Sequence, residues 1–210
     1  MNKCILLLVL TAATWCSAQT NSIVTDASPD ISPAERIEML QRVGEIYYQE
    51  GDWDNALDAF QRILKIDPDQ KETRSLIGVI YFSTSRYKEA IENISALVED
   101  YPEDYQIINN LAWVYATSKE SAYRDAQKAI DLAQQALVLA PYDHHIWSTL
   151  SEAYYVAGEY EKANRAIRHL VALATSSSTK MTETMIQTYN NQIKKCSRAI
   201  EAEKLLRGDQ

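Results

Sequence analysis

The chain has 210 residues, of which 46% are hydrophobic, and its formal net charge at pH 7 is −8. An acidic chain without a basic block is a poor match for nucleic acid, whose affinity for proteins comes largely from cationic contacts to phosphates. The length suits one sizeable domain or a short array of repeats.

The first 18 residues have the three-part layout of a secretory signal peptide. Lys3 gives a positive start, residues 4–10 form an unbroken apolar run, and residues 16–18 (Cys-Ser-Ala) give a small-residue exit. The apolar run is too short for a helix that spans a bilayer, which needs about 20 residues. We therefore expect cleavage after Ala18 and a periplasmic or secreted mature protein without a transmembrane segment.

A lipid anchor on Cys16 is the alternative for this terminus. Trp15 is bulky at the position where a lipoprotein signal has a small residue just before its cysteine. The soluble exported form is therefore the preferred interpretation.

Residues 19–31 are polar and show no periodicity, which indicates a flexible leader. Residues 32–35 (Ser-Pro-Ala-Glu) then have the pattern of a capping box, with serine at the cap, proline in the first helical position and glutamate three residues after the cap. The ordered part of the chain is predicted to begin here.

Five pairs of similar residues recur at a spacing of 34 residues. A fixed period between about 20 and 50 residues is typical of repeat architectures. Amphipathic helices are predicted over residues 37–50 and 53–66, and again over 71–84 and 87–100, with a tight turn inside each pair. The recurring pairs are Gly44 and Gly78, Tyr47 and Tyr81, Trp53 and Tyr87, Ala56 and Ala90, and Pro68 and Pro102.

Side-chain size assigns a role to these positions. A small residue on each helix marks the point where the two helices of a pair cross closely, and a tyrosine fills the space beside that crossing. In chain order the sets are Gly44, Gly78, Ala112 and Ser151 on the first helices, Ala56, Ala90, Ala129 and Ala163 on the second helices, and Tyr47, Tyr81, Tyr115 and Tyr154 beside the crossings.

This pattern resembles the tetratricopeptide repeat, through its 34-residue helix-turn-helix period and its small, aromatic, alanine and proline positions. The similarity covers about residues 37–175, in four units at about 37–70, 71–104, 105–143 and 144–177 of an array over 32–178. Thr175 stands where the fourth unit would have its proline. The resemblance implies an all-α fold, a right-handed α-α superhelix whose inner wall is built from the first helix of each pair.

The third unit is longer than the others. Fourteen residues lead from Tyr115 to Ala129, against nine over the same interval in the first two units, so five extra residues lie between its helices. The unit is similar to a lengthened tetratricopeptide unit of bacterial proteins. Ala126 stands where the other units have an aromatic residue, and Tyr123 is expected to fold back into that place, with Asp125 as the helix cap. A structural variant is favoured because such loops cost little to insert; a second contact for a partner is the alternative.

Residues 179–210 are expected to form a C-terminal capping segment, with a helix from about 182 to 206. Its alternating charges favour a solvating cap over a basic binding patch. The side chains predicted to point outward are Lys194, Lys195, Arg198, Glu201 and Lys204.

Cys196 is the one cysteine of the mature soluble chain, so no internal disulfide is expected. Helical spacing with Ile193 and Ile200 favours burial of this thiol, and pairing with another chain is the alternative.

The first helices are expected to present their remaining residues to a groove. Large flat side chains interleaved with Asn, Glu and Arg suit an extended or helical peptide, because aromatic rings supply contact area and polar groups bind backbone. The alternative is that some of these aromatic residues pack against neighbouring helices. The predicted partner-binding residues are Arg42, Glu45, Tyr48, Val79, Phe82, Asn109, Asn110, Trp113, His145, Glu152 and Tyr155, with Glu38, Glu72, Gln106 and Thr149 on the same wall.

The resemblance also argues against one ligand. Repeats that clamp the acidic C-terminus of cytosolic chaperones use paired lysines and asparagines on this wall. Here Asn109 and Asn110 have no such lysines, and four glutamates line the wall instead.

Residues that could carry chemistry are few. Asp143, His144 and His145 adjoin, but His169 is the only other histidine, no metal-binding motif is present, and Asp143 is expected to cap a helix. The five glycines form no phosphate-binding series, and no serine has a nucleophile-elbow context. We expect no metal, no cofactor and no enzyme activity.

These observations predict an exported, non-catalytic scaffold that binds a partner protein or peptide in its concave groove. Two alternatives remain: a self-assembling structural protein, held as a homo-oligomer by the array ends, Cys196 or the last helix, and a lipid-anchored envelope assembly factor.

Overall fold

A computed structural model describes residues 31–176 and 182–208. The predicted signal peptide with Cys16, nearly all of the leader and the junction before the last helix lie outside the described residues. Within these ranges the chain forms nine α-helices, one 3-10 turn and no strand. The helices are α1 (Pro33–Glu50), α2 (Trp53–Ile66), α3 (Lys71–Ser83), α4 (Tyr87–Asp100), α5 (Tyr105–Thr117), α6 (Ala126–Leu139), α7 (His144–Val156), α8 (Tyr160–Ser176) and α9 (Glu183–Arg207), and the 3-10 turn is Ser121–Tyr123.

The helices pack in consecutive pairs: α1 with α2, α3 with α4, α5 with α6, and α7 with α8. Each second helix also packs against the next first helix, and α9 packs against α8. The first helices α5 and α7 contact each other directly, which places them side by side on one wall. The predicted all-α fold, a helical repeat superhelix, is therefore confirmed.

Glycine at the helix crossings is explained by the residues opposite. A Cβ atom on Gly44 would lie 2.6 Å from Cε1 of Phe60, whose side chain is fully buried. A Cβ atom on Gly78 would lie 2.7 Å from Cγ1 of Ile94. Backbone and side chain approach so closely at these crossings that a methyl group has no room, as the size pattern predicts.

Three of the four pairs share one elbow geometry. A first-helix tyrosine carbonyl accepts a hydrogen bond from the backbone N–H of the residue before the second helix, as from Asp52 to Tyr47 at 2.9 Å. The residue preceding that donor has a positive φ, at Gly51 (77°), Ser85 (63°) and Gly158 (79°). This arrangement satisfies carbonyls that the end of a helix leaves open.

The lengthened third pair keeps the closing bond of this elbow. The carbonyl of Tyr115 accepts from the N–H of Asp125 at 3.1 Å, and Asp125 caps α6 through the N–H of Lys128 at 3.0 Å, as predicted. The extra residues include the 3-10 turn, whose Tyr123 packs against Tyr87 of the second pair with ring centroids 5.9 Å apart. The insertion is thus ordered and links two successive elbows.

Cys196 is fully buried, as its spacing predicts. Burial is the main cause that raises the pKa of its thiol, and Glu152 raises it further. The folded chain therefore does not present Cys196 for a disulfide with a second copy.

We expect Ser85→Gly to raise the free energy of unfolding by about 1 kcal/mol, because Ser85 adopts a left-handed conformation that costs an L-residue about that much. Chemical denaturation followed by circular dichroism measures the change. Ser95→Gly, inside α4, is the matched control and should lower the same quantity by about 0.5 kcal/mol. A loss of stability in Ser85→Gly would contradict the strain argument.

Candidate functional site

The predicted groove residues lie on the first helices α1, α3, α5 and α7, and the structure sorts them into packed and available side chains. Tyr48 packs edge to face on Trp53 with ring centroids 5.4 Å apart, and Phe82 packs on Tyr87 at 5.8 Å. Both Tyr48 and Phe82 border hydrophobic core clusters, and burial raises the pKa of the Tyr48 phenol. These two rings hold the elbows of their pairs together, which was the alternative weighed for them.

Trp113 differs from these two residues. It is half-buried on α5 and belongs to none of the hydrophobic core clusters found among the described residues. The equivalent elbow position of its own pair holds Ala116, and α6 begins with Ala126, so these two positions cannot form the ring contact that the other pairs make there. Trp113 is therefore a large, partly exposed side chain on α5 that lies outside the core clusters of the described residues.

Tyr155 has two different sides. One side contacts Tyr160 at the elbow of the fourth pair, with ring centroids 5.1 Å apart. The other side lies under the ammonium of Lys195, which is 3.9 Å from the ring centroid. Tyr155 thus faces both the elbow and α9.

The structure corrects the expected position of Asn109. The residue is only 6% exposed, and its Oδ1 atom has no hydrogen-bond partner within the described ranges. The reason is that α5 lies in the middle of the array and is covered from several sides, as buried Ile107, Ile108 and Leu111 show. Thr149 is likewise buried, and its hydroxyl donates to the carbonyl of His145 at 3.0 Å.

The remaining residues of the wall are at least partly accessible. Arg42 lies 3.9 Å from the carboxylate of Glu38, with both side chains largely exposed, and Glu45 accepts from the side-chain amide of Gln41 at 3.3 Å. The other accessible members are Val79, Asn110 and His145, which are half-buried, and Glu72 and Gln106, which are exposed.

The last helix lies beside this wall. Lys195 is exposed, as predicted, and its ammonium lies 2.9 Å from the carboxylate of Glu152 on α7. Between α7 and α9 there is a depression of about 580 Å³. It is lined by Tyr155, Asn191, Lys194, Lys195, Arg198 and Ala199. Sequence spacing alone does not reveal this contact, because it depends on how α9 packs on the α7–α8 pair.

The three histidines serve packing and capping in the described chain. Asp143 caps α7 through the N–H of His145 at 2.8 Å, as predicted. Burial, reinforced by His144, lowers the pKa of His145, and His169 packs on Trp147 with centroids 4.3 Å apart. No group of three or more His, Cys, Asp or Glu side chains suited to a metal ion occurs in the ranges that the structure describes.

None of the described helices combines the length and the apolar character that a bilayer-spanning helix requires.

Comparison with known proteins shows a similarity to one repeat family over part of the chain. Residues 47–118 match the family profile described as "Tetratricopeptide repeat". The human "Protein O-mannosyl-transferase TMTC1" is 26% identical over 125 residues, which are 60% of this chain but only 13% of the relative. The similarity to this relative is therefore confined to a small part of its length.

Solved structures agree with this assignment of the fold. "MamA 41-end from Desulfovibrio magneticus RS-1" superimposes with a TM-score of 0.59 at 21% identity, over 70% of this chain and 78% of the other. A thermophilic tetratricopeptide repeat protein of Thermus thermophilus superimposes with a TM-score of 0.58 at 19% identity, over 81% and 95% of the two chains. At these identities the likeness shows the fold, a helical repeat superhelix, and nothing finer.

Proposed function

We propose that this tetratricopeptide-type array is an exported, non-catalytic scaffold that binds a segment of a partner protein along its inner wall. Tetratricopeptide repeat proteins generally mediate protein–protein interaction. The observation that carries the proposal is Trp113, a large aromatic side chain on the inner wall that no core cluster of the described chain uses.

The exposed part of the Trp113 ring is apolar surface in contact with water, which is unfavourable unless a partner covers it. Half-buried apolar surface on a soluble protein gains free energy when a partner covers it, and tryptophan is enriched among the residues that dominate binding energy. The accessible amide of Asn110 lies three residues before Trp113 on α5 and supplies donors and an acceptor for a peptide backbone. Contact area next to amide groups suits a peptide better than a small metabolite.

Export is part of this proposal and is supported by the signal-peptide pattern of residues 1–18. The soluble form is favoured over lipidation at Cys16 because Trp15 is bulky where a lipoprotein signal has a small residue. We propose a partner in the same compartment.

Site-specific photocross-linking in cells tests the binding surface. We expect a benzophenone amino acid at position 113 to form a covalent adduct with a partner protein, since the proposed contact lies there. The matched control places the same amino acid at Gln135, which is exposed on α6. Adducts that are absent at 113, or equally abundant at both positions, would overturn the groove proposal.

A further inference from the structure

We propose that the depression between α7 and α9 binds an acidic segment of the partner, through Lys194, Arg198 and the ring of Tyr155. This inference deepens the proposed function, since it rests on a peptide lying along the inner wall, and it names the chemistry of one end of that peptide.

The first step concerns unpaired charge. Lys194 and Arg198 lie on α9, and neither has an ion pair or hydrogen bond with another described residue. They are four residues apart on one helix face, where like charges repel and weaken the helix. An anion between them would relieve that repulsion, and the carboxylate of Glu152 on α7 is already paired with Lys195.

The second step concerns shape. The two cations border a recess of about 580 Å³, with the ring of Tyr155 on the α7 side and the amide of Asn191 one turn before Lys195 on α9. An aromatic ring supplies contact area and an amide supplies directed hydrogen bonds, so the recess can order a short chain segment. The recess therefore suits a few residues of peptide, with carboxylates directed at the cations.

The third step concerns direction along the wall. The first two units of the inner wall carry exposed carboxylates, with the side chains of Glu38 and Glu72 exposed by 71% and 70%. Each of these carboxylates has a cation within 4.0 Å, Arg42 for Glu38 and Lys71 for Glu72. Lys194 and Arg198 have no such partner among the described residues, so the unpaired charge at the α7–α9 end is positive. Complementary charge steers encounter and fixes register more than it adds affinity. A bound segment is therefore oriented with its acidic part at α9.

The partner chemistry that fits is an acidic protein segment. An anionic membrane or nucleic acid presents a broad field of negative charge, which the net charge of −8 on this chain opposes. A peptide with a local cluster of glutamates avoids most of that opposition because only the recess contacts the acids.

The test uses the mature chain and two fluorescein-labelled peptides, one with four consecutive glutamates between Gly-Ser repeats and one with four glutamines instead. Fluorescence anisotropy should show tighter binding of the glutamate peptide by at least about tenfold. The double variant Lys194→Gln/Arg198→Gln should lose this difference. The matched control, Lys65→Gln/Lys119→Gln, removes two cations from other surfaces and should keep it.

Several outcomes would overturn the proposal. Equal affinity for the two peptides, equal weakening by the double variant and its control, or displacement of the peptide by inorganic phosphate at constant ionic strength would each do so. Cross-linking at position 113 is scored separately. If the double variant retains its partner adduct and the wild type has no preference for glutamate, the proposed binding along the inner wall is supported and the proposed acidic site at α9 is wrong. If the preference for glutamate holds and the adduct at 113 is absent, the α9 site stands alone.

Discussion

Replacing Phe60 by alanine should lower the free energy of unfolding by about 3–5 kcal/mol, the range found when a buried phenylalanine leaves a cavity. Phe60 is fully buried, and its cluster joins Leu40 of α1 and Ile63 of α2 to Ile77 of α3. Loss of the ring therefore weakens the first pair and its contact with the second. Urea denaturation followed by circular dichroism measures the change.

The same ring determines the effect of a change at Gly44. In the wild type, Gly44→Ala forces a methyl group against the Phe60 ring and should cost about 1–3 kcal/mol. In a Phe60→Ala background the clash is gone, and the better helix propensity of alanine should gain about 1 kcal/mol. The sign of one substitution thus reverses with its partner, and a double-mutant cycle measures that coupling. The same sign in both backgrounds would contradict the packing explanation.

This coupling shows why the fold could be predicted from the sequence. Gly44 lies opposite Phe60, Gly78 opposite Ile94, and Ser151 is buried with its hydroxyl donating to the carbonyl of Ala163 at 3.0 Å. Small residues recur at one position because helices that cross closely need them, and a recurrence at fixed spacing is visible without coordinates. The predicted bounds of α2 and α4 agree with the structure for the same reason, since caps and turns are local signals.

The inner wall was harder to predict, because the burial of its residues depends on contacts with residues distant in sequence. Tyr48 and Phe82 occupy the inner face by register, yet each packs on the aromatic residue that begins its second helix. A signal for this was present: the third pair, which lacks that aromatic at Ala126, also has the small Ala116 at the matching inner position. When two positions are both large in some pairs and both small in another, their side chains are expected to pack on each other.

Other features had no local signal. Asn109 is buried because α5 lies between several helices, and a helix in that place has no single polar face. Lys195 reaches Glu152 because α9 packs on α8, which is paired with α7. A helical pattern predicts which face of α9 is buried, but the neighbours of the exposed face depend on tertiary geometry.

Replacing Trp113 by alanine should weaken binding of the partner identified by cross-linking at least about 30-fold, the loss expected when a central binding residue worth about 2 kcal/mol is removed. The variant should lose less stability than Phe60→Ala, because Trp113 is partly exposed and no core cluster of the described chain includes its ring. Surface plasmon resonance of the purified pair measures the affinity, and urea denaturation measures the stability.

Phe82→Ala is the informative comparison because Phe82 lies on the same wall but packs on Tyr87 and borders the core. Phe82→Ala should lower the free energy of unfolding more than Trp113→Ala does, and any weaker binding would follow from the disturbed packing between α3 and α4. Trp113→Phe keeps an aromatic ring and should retain an intermediate affinity, since part of the contact area remains. If Trp113→Ala binds as the wild type does, the recognition surface lies elsewhere on the array. A joint loss of binding and folding in Trp113→Ala would instead assign Trp113 to the core. A loss of binding with folding intact is the one result that a purely structural Trp113 would not produce.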